Sequence, residues 1–214
     1  MPVEVIERIT TPRGELQLQR RGEAYEVISN GCFLMATYNG GSEKALITLA
    51  RRWVPRARRI LVGGLGFGYT LRAALDSPGI EMVTVVEIEP KVVEWNLTYL
   101  APHNGFALED PRTDLAAADM VEFLKGQPEP YDLIALDTDN GPDWVVFERN
   151  ASLWSEEGLR QLDRWRAPGG VLAFWSAHAS FSFEALLREH FKEVAVHFVA
   201  ARVNLQDDVV YLAR

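Results

Sequence analysis

Polar and apolar residues alternate along Glu15-Leu16-Gln17-Leu18-Gln19, the period-two pattern of a strand with one buried face. Arg21-Gly22-Glu23 can turn, and Ala24 to Ser29 reads as a second short strand. Asn30-Gly31 is a strong hairpin signal, and Cys32 to Thr37 reads as a third strand. Together these predict a small antiparallel β unit over residues 1–40. Asn39-Gly40-Gly41 then breaks the chain. Ser42 is placed to cap a helix running to about Trp53, with Ala45, Leu46, Leu49 and Trp53 near one face.

From residue 59 the pattern becomes an alternation of strands and helices. Strands are predicted near 59–63, 82–87, 113–117, 132–137 and 171–175, and helices near 68–76, 90–100, 119–125, 155–166 and 181–190. Strands separated by helices return in parallel. The end differs. Lys192 to Ala200 and Asp208 to Leu212 are strand-like with only a short link between them, which predicts an antiparallel pair at the sheet edge. A mainly parallel α/β core over residues 41–214, closed by such a pair, is by fold-level analogy a Rossmann-like, class I methyltransferase-like domain.

One turn stands out within that core. The apolar run Ile60-Leu61-Val62 meets Gly63 and Gly64, then Gly66 and Gly68, and a helical pattern follows at once. Without a Cβ, such a turn lets backbone come close to a nucleotide. The next strand, Met82-Val83-Thr84-Val85-Val86, ends in Glu87, where a doubly wound fold grips ribose hydroxyls. The pattern predicts a nucleoside bound by Gly63, Gly64, Gly66, Gly68, Glu87 and the adjoining Ile88. The dinucleotide fingerprint fails at its sixth place, Tyr69. The spacing G-x-G-x-G instead suits a single nucleoside without pyrophosphate, such as S-adenosylmethionine.

Composition narrows the class. The 214 residues are 48% apolar, with a net charge of −8 and one cysteine, Cys32. That excludes an intramolecular disulfide and argues against nucleic-acid binding, which needs basic surface. No apolar stretch approaches the roughly 18 to 20 residues of a membrane span. Met1-Pro2-Val3-Glu4 lacks the layout of a signal peptide, so no membrane association is expected and a cytoplasmic location is. The basic cluster Arg51, Arg52, Arg56, Arg58 and Arg59 falls at a helix end and the loop after it, where the helix dipole and solvent accommodate it. The four histidines show no ligand spacing, so no metal is expected.

Further candidates sit at predicted strand ends. Glu89 precedes Pro90 and reads as charge at a helix start. Asp119 can accept from an adenine amine or cap the helix that begins at Met120, and the sequence leaves both open. Met120 joins the cofactor-binding candidates. The strand Asp132 to Leu136 ends in Asp137, followed by the acidic, turn-rich Thr138-Asp139-Asn140-Gly141-Pro142-Asp143-Trp144. Charge there favours a cationic or amine substrate. Asp137 can accept a proton from an attacking amine, and Asp139 is a second catalytic candidate. Asp143 reads as loop solvation, Trp144 as a wall and His178 as a candidate base.

Val62-Gly63-Gly64-Leu65-Gly66-Phe67-Gly68, Val85 to Glu94, Tyr131 to Asp137 and Ala167-Pro168-Gly169-Gly170-Val171 resemble the spermidine synthases, aminopropyltransferases with a methyltransferase-like fold. The resemblance implies that Glu87 binds the ribose, that Asp119 lies near adenine and that Asp137 lies near the sulfonium and the attacking amine. It also implies a homodimer. Three departures stand against it. Gly66 occupies the place of an aspartate that helps hold the amino group of decarboxylated S-adenosylmethionine. The loop after Asp137 is short, with Asp139 one place early. Asn39-Gly40-Gly41-Ser42-Glu43 lacks the family's Tyr-His pair.

A glycine at that place tolerates the carboxylate of intact S-adenosylmethionine, which an aspartate would repel. The expected activity is therefore transfer from S-adenosylmethionine, chiefly of methyl, to a small acceptor, for which the acidic loop suggests an amine. The alternatives are aminopropyl transfer from decarboxylated S-adenosylmethionine to a polyamine, or a non-catalytic nucleoside-binding protein.

Overall fold

In a computed structural model the described residues are 2–145, 147–200 and 206–214. The chain forms two compact units, Met1–Gly40 and Gly41–Arg214. In the first, β1 (Val3–Thr11), β2 (Gly14–Arg21), β3 (Ala24–Ser29) and β4 (Cys32–Ala36) make an antiparallel sheet in chain order. Asn30 and Gly31 both take positive φ, 50° and 79°, the turn that an Asn-Gly pair favours between two strands. Strand β1 was not expected. Its pairing with β2 shifts register between Val5 and Glu7, and such a bulge breaks the period-two alternation that marks a strand in sequence.

In the second unit α1 spans Gly41–Trp53. Then follow β5 (Arg59–Gly63), α2 (Tyr69–Leu75), β6 (Met82–Glu87), α3 (Pro90–Leu97), β7 (Thr113–Ala117), α4 (Met120–Phe123), β8 (Tyr131–Leu136), α5 (Glu156–Trp165), β9 (Arg166–Ser176), α6 (Phe181–His190), β10 (Val194–Val199) and β11 (Asp208–Ala213). The sheet order is β10-β11-β9-β8-β5-β6-β7. Pairs from β7 through β9 are parallel, and β9-β11-β10 are antiparallel. This is the expected α/β architecture. The chain runs outward from β5 to β7 and then returns to β8 on the other flank of β5. That reversal opens a crevice at the carboxyl ends of β5 and β8.

The central strands are buried on both faces, which is why they read as unbroken apolar runs. Ile60, Leu61, Val62, Leu133, Ile134, Ala135, Val171, Leu172 and Ala173 are all buried. Beside them Phe183 of α6 meets Trp154, Phe174 and Tyr211 edge-on, at centroid distances of 5.1, 5.2 and 5.4 Å. Helix α5 turns Leu159, Leu162 and Trp165 into the same core.

Several boundaries depart from the sequence reading. Ser42 lies inside α1 and its hydroxyl is drawn to a carboxylate rather than to the helix end. Helix α3 stops at Leu97 and α4 is a single turn. Strand β9 begins at Arg166 and carries Pro168-Gly169-Gly170 through a register irregularity opposite Tyr131 and Leu133. The basic cluster is structural in part. Arg51 donates to the carbonyls of Val54, Pro55, Ala57 and Pro78, while Arg58 pairs with Glu81 and Arg59 with Glu129. Among the described residues no helix is long and apolar enough to cross a membrane.

Candidate active site

The glycine turn between β5 and α2 forms the floor of the crevice, and its shape is dictated by neighbours on every side. Gly64 has φ +90°, and a Cβ there would lie 2.3 Å from the carbonyl oxygen of Asp137. Only glycine lets the turn and the end of β8 touch in this way. Gly63 accepts from the Asp137 N–H at 2.8 Å, and the Gly64 N–H donates to Val86 at 2.9 Å. Gly68, φ +77°, starts α2 where a Cβ would meet Asn104 and Asn96. Those two asparagines hold the turn from the far side. Asn96 Nδ2 donates to the Gly66 carbonyl at 2.8 Å and Asn104 Nδ2 to the Phe67 carbonyl at 3.1 Å. Asn104 also donates to Asn96 Oδ1 at 2.7 Å. Both asparagines are 1% exposed. Neither was identified from sequence, because their partners lie some thirty residues away and no local periodicity marks them.

Glu87 completes the turn. Buried at the end of β6, it accepts from the Leu65 N–H at 2.9 Å and from the Glu89 N–H at 2.7 Å. Burial pushes its pKa up, against the pull of those backbone donors. Each carboxylate oxygen still has a lone pair for a further donor. Ile88 follows, half-buried. Glu89 is the residue ahead of α3, with Pro90 at its first position, as expected.

Asp119 fills the capping role that the sequence offered. Its Oδ1 accepts from the Val121 and Glu122 N–H groups at 2.8 and 3.2 Å, so it caps α4, while Arg149 lies 3.6 Å from Oδ2. Met120, expected as a cofactor contact, is 5% exposed and its Sδ fills the space beside Gly63. It packs within the hydrophobic core.

Asp137 lies at the carboxyl end of β8. Thr70 of α2 donates to its Oδ2 at 2.5 Å, and burial pushes its pKa up to about 6. Two further carboxylates reach this place, and sequence reasoning assigned a role to neither. Glu43, in the first turn of α1, accepts from the Ser42 hydroxyl at 3.0 Å. Its pKa is pushed up to about 8, first by burial and then by the charge of Asp137. Asp208, first residue of β11, is 1% exposed, and its Oδ2 has no hydrogen-bond partner among the described residues. Its pKa is raised by burial, with the Ser42 hydrogen bond and the exposed His178 acting the other way. Three elements far apart in sequence thus bring their acids to one pocket. No local signal could have found this: Glu43 reads as ordinary charge at a helix start, and Asp208 as the edge of a strand.

The other loop acids stand apart. Asp139, with φ +67°, accepts through Oδ2 from Asn150 Nδ2 at 2.8 Å and from the Phe147 N–H at 3.3 Å. It staples the loop after β8. Asp143, Trp144 and His178 are exposed, Trp144 by 53%. Among the described residues no three His, Cys, Asp or Glu side chains converge closely enough to hold a metal ion.

Comparison with known proteins agrees with this geometry. The sequence model of the spermine/spermidine synthase domain matches residues 42–204. The chain is 38% identical over 96 residues to a polyamine aminopropyltransferase of Sodalis glossinidius, covering 44% of this chain and 33% of that protein. It is 32% identical over 150 residues to one of Serratia proteamaculans, covering 68% of this chain and 51% of that protein. The chain therefore spans about a third to a half of the length of these curated relatives. In three dimensions it resembles a spermidine synthase solved in complex with the transition-state analogue AdoDATO, with a TM-score of 0.83 and 18% identity over 98% of this chain and 73% of that one. Spermidine synthase from Thermotoga maritima matches with a TM-score of 0.83 at 17% identity, over 98% of this chain and 72% of that one.

Proposed function

The chain belongs to the spermine/spermidine synthase domain family, and from that premise we propose that it moves the aminopropyl group of decarboxylated S-adenosylmethionine onto an amine of the polyamine class. One observation carries the reading: Glu43, Asp137 and Asp208 gather beside the glycine turn, where Thr70 reaches both Glu43 and Asp137, and burial and mutual charge raise their pKa values. Such a pocket favours cationic groups. The carboxylate of intact S-adenosylmethionine would meet like charge there. The sequence argument for methyl transfer rests on the absence of an aspartate at Gly66 and on the shortened acidic loop after Asp137. Acids from α1 and β11 supply negative charge that the turn itself lacks. The curated relatives named above are aminopropyltransferases, which supports the same choice.

The turn suits the nucleoside of such a donor. Gly64 leaves room for close approach, and the Glu87 carboxylate can accept from two ribose hydroxyls while it holds Leu65 and Glu89. The donor supplies a carbon activated by its attachment to a sulfonium. This chain's part is alignment and charge. Asp137 takes one proton from the acceptor's ammonium group, which leaves a free amine. The amine lone pair forms the new N–C bond as the C–S bond breaks, and the bonding pair passes to sulfur. Thr70 fixes the Asp137 carboxylate through its 2.5 Å hydrogen bond.

The test is product identification by mass spectrometry, with the purified protein given decarboxylated or intact S-adenosylmethionine and a series of diamines and polyamines. The expected product is the aminopropylated amine from the decarboxylated donor. Methylated acceptor from the intact donor, with no aminopropyl product, would return the protein to methyl transfer.

A further inference from the structure

The pocket holds more acid than one proton transfer uses. Asp137 suffices to take a proton, yet Glu43 and Asp208 share its enclosure. Ser42 lies between them: it donates to Glu43 Oε2 at 3.0 Å, and it favours the ionised form of Asp208. Asp208 Oδ2 is buried with no hydrogen-bond partner among the described residues. Among the described residues no Lys or Arg ranks among the charges that act on the three acids, and His178 acts on Asp208 alone. Buried carboxylates of like charge cannot all ionise without a compensating cation. The groups facing them are Ser42 and Glu43 from α1, Tyr69 and Thr70 from α2, Asp137 after β8, His178 after β9, and Asp207 and Asp208 at β11.

Thr70 Oγ1 reaches both the Glu43 carbonyl, at 3.3 Å, and Asp137 Oδ2, at 2.5 Å. We propose that Glu43, held by Ser42 beside Asp137, is the seat of a proton that the ligand-free protein retains and exchanges for the ammonium end of the acceptor. On binding, the Glu43 carboxylic O–H bond breaks and its proton leaves to solvent. The carboxylate so formed accepts a hydrogen bond from the ammonium. Asp137 stays ionised for the proton transfer that precedes attack. Glu43 is thus a positioning residue: it matches the charge of the pocket to the charge of its guest. The raised pKa of all three acids agrees with this arrangement. The inference rests on the reading of this pocket as the amine's seat.

Two measurements on the full chain test it separately from that reading. The first is calorimetric titration with 1,4-diaminobutane at neutral pH, in buffers of differing ionisation enthalpy. Wild type is expected to release protons on binding, with an affinity that rises up to about tenfold per pH unit between about 6 and 8. Glu43→Gln keeps a neutral side chain of the same shape, and is expected to bind with little proton release and a flattened pH dependence. Binding without proton release in wild type, or unchanged release in Glu43→Gln, overturns the proposal. Failure of the diamine to bind counts against the amine reading alone. The second measurement needs no ligand: carbon NMR of protein labelled at the glutamate carboxyl carbon, with the Glu43 signal assigned by its loss in Glu43→Gln. A titration near pH 8 is expected, and one in the ordinary carboxylate range overturns the proposal whatever binds.

Discussion

Asp137 is half-buried, holds one hydrogen bond from Thr70 and has its pKa pushed up to about 6. A group poised near neutrality is suited to proton transfer. Asp137→Asn should lower kcat by about 10²- to 10⁴-fold and leave donor affinity nearly unchanged, as steady-state kinetics and calorimetry would read. Loss of donor binding equal to the loss of turnover would move Asp137 out of the chemistry. Glu87→Gln would place an amide N–H against the Leu65 or the Glu89 N–H. It should cost about 1–3 kcal/mol of stability and weaken nucleoside binding; a donor affinity equal to wild type would remove Glu87 from the ribose role. Asp137 and Glu87 were legible because each ends an apolar strand, where the residue after the run must face the crevice. Glu43, Asp208, Asn96 and Asn104 were not, because what gives them their place is distant in sequence.

The strands and helices of the second unit were readable because burial imposes a period: unbroken apolar runs for central strands, a stripe for α5. Boundaries were less readable. The start of β9 depends on its partner β8, and the start of α1 on where the Ser42 hydroxyl finds an acceptor. Helix α6 is held to the sheet by Phe183, 2% exposed and edge-on to three aromatic rings. Phe183→Ala should cost about 3–5 kcal/mol in chemical denaturation, while its residual folded fraction keeps wild-type KM. In the N-terminal sheet, Glu26 on β3 accepts from Gln19 and Tyr38 and pairs with Arg21. Burial alone would raise its pKa, but these partners together lower it. Glu26→Ala leaves their donors unanswered and should cost about 1–3 kcal/mol; a melting curve identical to wild type would show that solvent takes over those donors.

Across the whole molecule, the raised acids set a pH dependence. Glu43 and Asp137 have folded pKa values of about 8 and about 6, above their ordinary values. The folded state then binds more protons than the unfolded one between those limits, so these two groups lower stability as pH rises through the weakly acidic range to about 8. The melting temperature of the ligand-free protein should fall between about pH 6 and 8, and Glu43→Gln should remove most of that fall. A flat profile in wild type would show that the acids are solvated. By itself the sequence determined the α/β class, the order of its elements, the glycine turn and the two strand-end acids Glu87 and Asp137. Each of these follows from local sterics or from the period that burial imposes on a strand or helix. Only the tertiary structure decided that Asp119 caps a helix, that two asparagines lock the turn, and that α1 and β11 bring Glu43 and Asp208 to Asp137. The reason is physical: the energy of a buried charge depends on what surrounds it in space, and its neighbours here lie from 67 to 165 residues away, from Thr70 to Asp137 and from Glu43 to Asp208.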